Sequence, residues 1–418
     1  MRIPRRALGP ATIVLVALAV WPAAPAGAHA ELVSTAPADG ARLDAAPAAV
    51  EITFSENVSA TLGAVRVLDR TGTRVDRGGV EARGGVVTVA LEGLADGAYI
   101  ASWRVVSADS HPIHGSFTFT VGDGAERIDD DLAASLLGDD GDGPWKVVGA
   151  GTRFLGYGGA LLAAGLAVFL AVAHDRGPER PALRRLLRVA AGAGAIGILA
   201  ELPVRAALAT GLGPDALTES GVASQLLGDR VGIGMAVALL TLLFLAVDGG
   251  GDRLLAGGAV VALGLAFAIA GHTATTSPEA LAVGSDAVHV AAASIWFGGV
   301  VGCVVVVMAR RRAGPASAPV VLRFSGVAAF ALVGVAVAGS ALGWTQVRSL
   351  HALTSTSYGQ LLMAKVAVVG LVALLGAVNR FRLLPVLEHD EDRAPAIVSR
   401  LLRRTLAAEA VLLLVVVG

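Results

Sequence analysis

The sequence has a single cysteine and few charged residues. Among 418 residues there is one cysteine, Cys303, which excludes disulfide scaffolds and cysteine-rich zinc modules. Charged residues make up 16% and the formal net charge is −1, whereas soluble domains carry about 25% charge. This balance argues against a nucleic-acid partner. A G-x-x-x-x-G-K-[ST] segment is also absent, which argues against an ATP-driven pump.

Hydrophobic residues, by contrast, make up 55% of the chain and come in long runs. After Trp145, the runs approach the roughly 20 residues that a helix needs to span a bilayer. They cover residues 147–173, 189–209, 231–248, 254–271, 286–308, 325–344, 359–378 and 401–418. Glycines inside the runs allow helices to pack closely. Residues 145–418 are therefore predicted to form an all-α membrane domain of about eight helices.

The first 28 residues have the pattern of a signal peptide. Arginines within residues 2–6 precede a short apolar segment, and Ala26-Gly27-Ala28 fits a cleavage site. Cleavage makes His29 the first mature residue and places the following domain outside the cytoplasm. The arginine-rich loops after the first, fifth and seventh helices then lie in the cytoplasm, as the positive-inside rule requires. We therefore expect a multi-pass protein of the cytoplasmic (inner) membrane.

Residues 29–122 differ in character from the rest. Short runs that alternate polar and apolar residues are separated by turn signals such as Asp39-Gly40 and Asp96-Gly97. This pattern predicts an all-β sandwich of Greek-key type. The following segment, 123–144, is rich in Asp and Glu and is predicted to be a solvated acidic linker.

The predicted sandwich has a candidate metal site. A mature N-terminal His29 offers its α-amine and imidazole to one metal ion. Asp109 and His111 stand two positions apart, so on an extended chain their side chains point the same way. Three nitrogens and an oxygen suit Cu(II). His114 lies close by as a further ligand or second-sphere donor, and Met and Cys are absent between His29 and Met235.

These residues resemble the copper-resistance C (CopC) family across the whole of 29–122. The resemblance rests on His29 to Pro37, on Phe54-Ser55-Glu56 and on Val105 to Pro112. It implies an extracytoplasmic copper-binding β-sandwich in which His29, Asp109 and His111 bind Cu(II). His114 departs from the small polar residue expected at its position.

The membrane domain resembles the copper-resistance D (CopD) family, most clearly over 320–382. The matching residues are Phe324-Ser325, Trp344, Leu353 to Leu362, Lys365, Asn379-Arg380 and the His289…Ser294 to Gly299 segment. The resemblance implies copper passage across the membrane, with uptake as the expected direction.

Intramembrane ionisable residues are functional candidates by default. The candidate copper path consists of His272, His289, Asp286, Met235 and Met363, whose imidazole and thioether groups bind Cu(II) or Cu(I). Two internal ion pairs are also predicted, Glu201 with Arg205 and Lys365 with Glu409. His174 is expected to be a solvated loop residue.

Together these features predict a copper importer rather than an enzyme. Its expected partners are the copper ion, the lipid bilayer and extracytoplasmic copper chaperones. The alternatives are a copper-sequestering resistance protein whose membrane domain is an anchor, and an electron-transfer unit with haem held by His272 and His289. Oxidative polysaccharide cleavage is disfavoured, because Asp109 would fill the position that oxygen chemistry needs.

Overall fold

The computed structural model describes residues 30–60, 64–107, 112–122, 128–137, 142–210, 217, 222–271, 278–310, 316–347, 350–389 and 396–417. The strands are β1 Leu32–Ala36, β2 Ala41–Leu43, β3 Ala49–Phe54, β4 Val58–Ser59, β5 Val65–Asp69, β6 Asp76–Arg83, β7 Val86–Leu91, β8 Gly97–Ser107 and β9 Pro112–Val121.

The strands form two sheets, and the predicted sandwich is confirmed. One sheet has the order β1-β3-β7-β6, and the other has the order β2-β9-β8-β4 with β5 also paired to β8. Side chains alternate between the two faces of a strand, so every second residue enters the space between the sheets. On β3 these are Val50, Ile52 and Phe54, each at most 4% exposed. The alternating sequence pattern therefore produces the buried face directly.

A short helix, α1 Asp130–Leu137, lies within the range predicted to be an acidic linker. Asp129 caps its start, because Oδ1 accepts a hydrogen bond from the Leu132 amide at 2.8 Å. Leu132 and Leu136 pack with Ile100 of β8 in a small hydrophobic cluster on the sandwich. The apolar face of α1 thus ties part of this segment to the sandwich, while Asp131 is exposed to water.

The remaining helices form the second part of the chain. They are α2 Asp142–Val172, α3 Arg180–Thr210, α4 Val222–Gly228, α5 Arg230–Asp248, α6 Arg253–Ala270, α7 Glu279–Ala309, α8 Ala318–Val347, α9 Leu350–Ser355, α10 Ser357–Val378, α11 Leu384–His389 and α12 Ala396–Val417. A π-helical turn, Asn379–Leu383, joins α10 to α11.

Within the described residues, seven helical segments are long and apolar enough to cross a membrane. They are Pro144–Val172, Arg180–Leu208, Arg230–Asp248, Arg253–Ala270, Glu279–Ala309, Ala318–Thr345 and Gly359–Leu387. The eighth predicted span falls in the helix α12, which carries Arg400, Arg403, Arg404 and Glu409 and is not among these seven segments.

Apolar side chains remain exposed on the outside of these helices. On α5, Leu240, Leu243 and Val247 are 66%, 62% and 76% exposed. Such a surface is stable against lipid tails but not against water. The all-α membrane domain predicted from the hydrophobic runs is therefore confirmed.

Glycines bring the helix backbones into direct contact, as predicted. Gly165 of α2 faces Gly298 of α7, and a Cβ atom placed on Gly298 would lie 2.5 Å from the Gly165 backbone. Small residues at such crossings let helices approach without an intervening side chain. The contact fixes α7, which carries His289 and Asp286, against α2.

We expect Gly298→Ala to destabilise the membrane domain by about 1–3 kcal/mol, the usual effect of overpacking a close contact. The matched control is Gly257→Ala on α6, where an added Cβ meets no atom within 4 Å. Thermal unfolding of both variants in one detergent measures the difference. Equal melting temperatures would contradict the close contact between α2 and α7.

Candidate metal sites

The predicted ligands His29, Asp109 and His111 lie outside the described residues, but the strands that flank them are described. Strands β8 and β9 pair antiparallel from Gly97 opposite Val121 to Val106 opposite Pro112. Ser107 and Pro112, the described residues on either side of 108–111, therefore lie at one end of the sandwich.

The described start of the chain lies at that same end. The Ser55 amide donates to the Glu31 carbonyl at 2.9 Å, and the Glu31 amide donates to Ser55 Oγ at 2.9 Å. A few residues later, Val58 pairs with Ser107, the last residue of β8. Ser55, which contacts Glu31, and Val58, which pairs with Ser107, are close together in the chain. Glu31 and Ser107 therefore lie near each other.

His114 is exposed on β9, where it lies opposite Arg104 of β8. Arg104 Nη1 donates to the Leu208 carbonyl near the end of α3 at 3.3 Å. The end of the sandwich that carries Ser107 and Pro112 is thereby joined to one end of the helix bundle.

His289 is half-buried on α7, one helical turn from Asp286. Its ring donates a hydrogen bond to the Val335 carbonyl of α8, and the charges of Asp286 and Lys365 act on it. The other ring nitrogen, Nδ1, is buried without a hydrogen-bond partner among the described residues. The donor is therefore Nε2, and Nδ1 retains a lone pair that can bind a metal ion.

Gly339 of α8 leaves room beside this lone pair. A Cβ atom at Gly339 would lie 3.2 Å from both Nδ1 and Cε1 of His289. Because glycine has no side chain, the space next to Nδ1 stays open. Asp286 and His289 thus form a carboxylate and imidazole pair on one helix face inside a membrane-spanning segment.

The other predicted path residues have different surroundings. Met235 of α5 has its sulfur 3.8 Å from Arg205 Nη1, so a cation already lies beside the thioether. Met363 of α10 is 43% exposed. His272 lies outside the described residues.

The predicted pair between Glu201 and Arg205 is wrong. Glu201 accepts a short hydrogen bond from Thr152 Oγ1 and pairs with Arg153 Nη1 at 3.2 Å. Arg205 instead pairs with Asp229 at 2.9 Å. Each group has a partner on a neighbouring element, so the spacing of four residues does not decide the pairing.

The predicted pair between Lys365 and Glu409 is also wrong. Asn379 Nδ2 in the π-helical turn donates to Glu409 Oε1 at 2.5 Å, and Thr405 Oγ1 donates to Asn379 Oδ1 at 2.6 Å. Lys365 is exposed on α10. Since a buried carboxyl group needs hydrogen bonds, the amide of Asn379 satisfies Glu409.

Among the described residues, sequence reasoning missed one group of potential metal ligands, the buried His174 and Glu179 and the exposed Asp175, whose ligand atoms lie within 4.8 Å of one another. With Arg310 they form what we call the loop cluster, which joins the α2–α3 connection to the end of α7. The expectation that His174 is solvated is wrong, because its side chain is 0% exposed.

Hydrogen bonds fix the tautomer of the His174 ring. Nδ1 accepts from the Arg176 amide at 3.0 Å, so the proton is on Nε2, which lies 2.9 Å from Glu179 Oε1. Arg310 fills the place of a metal ion, with Nη2 at 2.5 Å from Asp175 Oδ1 and 2.6 Å from Glu179 Oε1. The loop cluster is thus satisfied by a guanidinium group rather than arranged for a metal.

These contacts also decide the charges of the loop cluster. Hydrogen bonds from Arg310 hold the pKa of Asp175 below its ordinary value. Burial alone would raise the pKa of Glu179, but the hydrogen bonds from Arg310 and His174 outweigh it and leave the pKa lowered. Both carboxyl groups are therefore ionised near neutral pH.

Comparison with known proteins assigns a family to each part of the chain. The CopC domain family matches residues 32–122. The family described as copper resistance protein D-like, N-terminal domain, matches residues 145–280, and the copper resistance protein D family matches residues 318–418.

Individual proteins are also similar to this chain. The copper transport protein CutJ of Bacillus subtilis is 28% identical over 388 residues, which cover 88% of this chain and 70% of CutJ. Copper resistance protein C of Pseudomonas syringae is 35% identical over 119 residues, 26% of this chain and 93% of that protein. The crystal structure of CopC from Methylosinus trichosporium OB3b is 27% identical, covers 24% of this chain and 98% of that one, and has a TM-score of 0.21.

A β-sandwich followed by a polytopic helical domain, each matched by a copper-resistance family, defines a two-part membrane protein of copper homeostasis. The chain belongs to the copper-resistance C and D families, and it joins a C-type and a D-type domain in one polypeptide.

Proposed function

We propose that this chain captures Cu(II) outside the cytoplasmic membrane and passes copper inward through its helical domain. The proposal of passage rests on His289 Nδ1, which is buried without a hydrogen-bond partner among the described residues and lies one turn from Asp286 in a membrane-spanning helix. An unpartnered buried nitrogen is unfavourable unless it has a role. A copper ion in transit is a ligand that would satisfy it.

Capture is assigned to the sandwich. His29 supplies its amine and imidazole, Asp109 and His111 complete the ligand set, and His114 lies beside it. The strand registers support this assignment, since Glu31, Ser107 and Pro112, the described residues that flank the predicted ligands, lie at one end of the sandwich. The two families matched by the chain are families of copper-resistance proteins.

Passage is assigned to His272, Asp286 and His289, with Met235 and Met363 as further ligands. The bond from Arg104 to the Leu208 carbonyl supports a short transfer, because it joins the sandwich to the bundle. Copper enters the path as Cu(II) or, after reduction, as Cu(I), which imidazole and thioether groups also bind. Extracytoplasmic chaperones are the proposed donors of copper to the sandwich.

Orientation is proposed from charge. The α2–α3 connection and the start of α3 carry Arg176, Arg180, Arg184, Arg185 and Arg188. An excess of arginine marks the cytoplasmic side. The sandwich, at the other end of α3, then lies outside.

The proposed passage predicts that His289→Gln lowers copper accumulation in cells expressing the chain. We expect a loss of about 10-fold or more, since even second-sphere changes at metal sites cost 10- to 100-fold. The matched control is His351→Gln, because His351 is exposed on α9. Cellular copper is measured by mass spectrometry at equal expression. Unchanged accumulation would instead favour sequestration, with the helices as an anchor.

A further inference from the structure

The end of the bundle that holds the loop cluster also has a pocket of about 560 Å³ with a strongly cationic lining. Arg176, Arg180, Arg253 and Arg323 contribute guanidinium groups to it. Among the described lining residues, Asp252 is the one acid. Its Oδ1 caps the start of α6, where it accepts hydrogen bonds from the Leu254 and Leu255 amides at 2.9 and 3.0 Å.

Three of these four guanidinium groups have no ion pair with the described residues. Arg253 donates from Nε to the Ala171 carbonyl at 3.4 Å. Arg323 donates from Nε to the Ala173 carbonyl at 2.9 Å and lies 3.8 Å from Asp175. The side chains of Arg176 and Arg180, however, make no hydrogen bond or ion pair with the part of the chain that the structure describes. The charges that act on Arg180 are those of Arg176 and Arg184. Like charges held this close are stabilised by an anion between them.

A glycine, Gly251, lines the pocket beside these arginines. Gly249, Gly250 and Gly251 follow α5 with φ values of +69°, +71° and +126°, a conformation that side chains rarely adopt. Arg180 lies directly against Gly251, in the space that a side chain would fill. Next to Gly251, Arg184 Nε is buried without a hydrogen-bond partner among the described residues. The guanidinium group of Arg180 therefore covers this stretch of main chain, and an anion in the pocket would meet guanidinium groups.

Part of the pocket lining is apolar. Leu170, Val172 and Leu254 form this part, and Val172 and Leu254 are 39% and 87% exposed. These residues lie at the ends of membrane-spanning segments, where lipid headgroups meet acyl chains. A guanidinium cluster bordered by exposed apolar side chains matches a molecule that is anionic at one end and apolar at the other.

We propose that this pocket binds a phosphate-bearing anion, with the headgroup of an anionic phospholipid as its source. The arginines hold the phosphate, and the acyl chains lie along Val172 and Leu254. Basic pockets between helices on the cytoplasmic side of membrane proteins recognise such headgroups. The pocket is separate from the copper path residues, so its test is independent of copper transport.

The test is a thermal-shift titration of the purified full-length chain in a neutral detergent. One arm adds phosphatidylglycerol, a second adds phosphatidylcholine, and a third adds inorganic phosphate. We expect phosphatidylglycerol to raise the melting temperature in a saturable way. The double variant Arg176→Gln/Arg180→Gln should need about 30-fold more lipid, since each basic residue near a membrane surface contributes about 1 kcal/mol.

The matched control is Arg185→Gln/Arg382→Gln, which removes the same charge from exposed positions outside the pocket. It should titrate like the wild type. A response to phosphatidylglycerol but not to phosphate supports lipid as the source, and a response to phosphate alone supports a soluble phosphate. Equal titrations of both double variants, or no response to either anion, would overturn the proposal.

Discussion

One extra residue ahead of His29 should abolish tight Cu(II) binding by the mature protein. The extension converts the α-amine into a peptide nitrogen and moves the new amine away from the imidazole, so the chelate ring is lost. We expect affinity to fall by more than about 100-fold, because changes beyond the ligands already cost 10- to 100-fold. Titration of the purified chain, followed by electron paramagnetic resonance, measures the loss.

The comparison that isolates the chelate is a set of three proteins. The extended protein and His29→Ala should both lose the type-2 cupric signal, whereas His114→Ala should keep it, since His114 is only an additional donor in the proposed site. N-terminal sequencing establishes that each protein begins where intended. A wild-type signal from the extended protein would remove the N-terminal amine from the site.

The parts of the fold that were predicted correctly are those encoded by local pattern. Strand β7, Val86–Leu91, is one of the short alternating runs of residues 29–122, and its alternation follows the pleat. The spans α5 and α6 agree within one residue with the hydrophobic runs at 231–248 and 254–271. In each case the residues of the segment itself are enough to predict the strand or helix.

The loop cluster shows where such reasoning ends. His174 looks like a solvated histidine because it lies in an arginine-rich connection, and its burial depends on Arg310, which contacts Asp175 from 135 residues away. No periodicity connects these positions. The spacing of His174, Asp175 and Glu179 at the end of an apolar run was the available signal, and it did not identify a cationic partner.

Glu201 and Arg205 show the same limit on a smaller scale. Four residues apart on α3, they satisfy the local rule for an ion pair. Inside a helix bundle, however, Glu201 meets Arg153 on α2 and Arg205 meets Asp229 before α5. Tertiary neighbours compete with the local partner, and the sequence does not reveal which helices are adjacent.

Replacing Arg310 with Met should destabilise the helical domain by about 3–5 kcal/mol, the usual cost of removing one partner from a buried ion pair. The side chains of Arg310 and Glu179 are 2% and 1% exposed. Without the guanidinium group, Glu179 loses its arginine partner, and Asp175 keeps only Arg323 at 3.8 Å. Thermal unfolding in detergent at neutral pH measures the effect.

The difference between wild type and Arg310→Met should also depend on pH. The pKa of Asp175 is lowered from 3.8 by its hydrogen bonds to Arg310, and that of Glu179 is lowered from 4.5 despite burial. A carboxyl group with a lower pKa in the folded state contributes stability above its unfolded pKa and loses it in acid. The gap should therefore be full above about pH 5 and shrink as the pH falls through these two values.

Two further variants separate this ion pair from a general effect of charge. Arg323 lies 3.8 Å from Asp175 but is 48% exposed, so Arg323→Met should cost no more than about 1 kcal/mol. Adding Glu179→Gln to Arg310→Met should recover part of the stability, because it removes a buried charge that has lost its partner. If Arg310→Met unfolded at the temperature of Arg323→Met, or if Glu179→Gln gave no recovery, the buried guanidinium group would not be what holds the α2–α3 connection to α7.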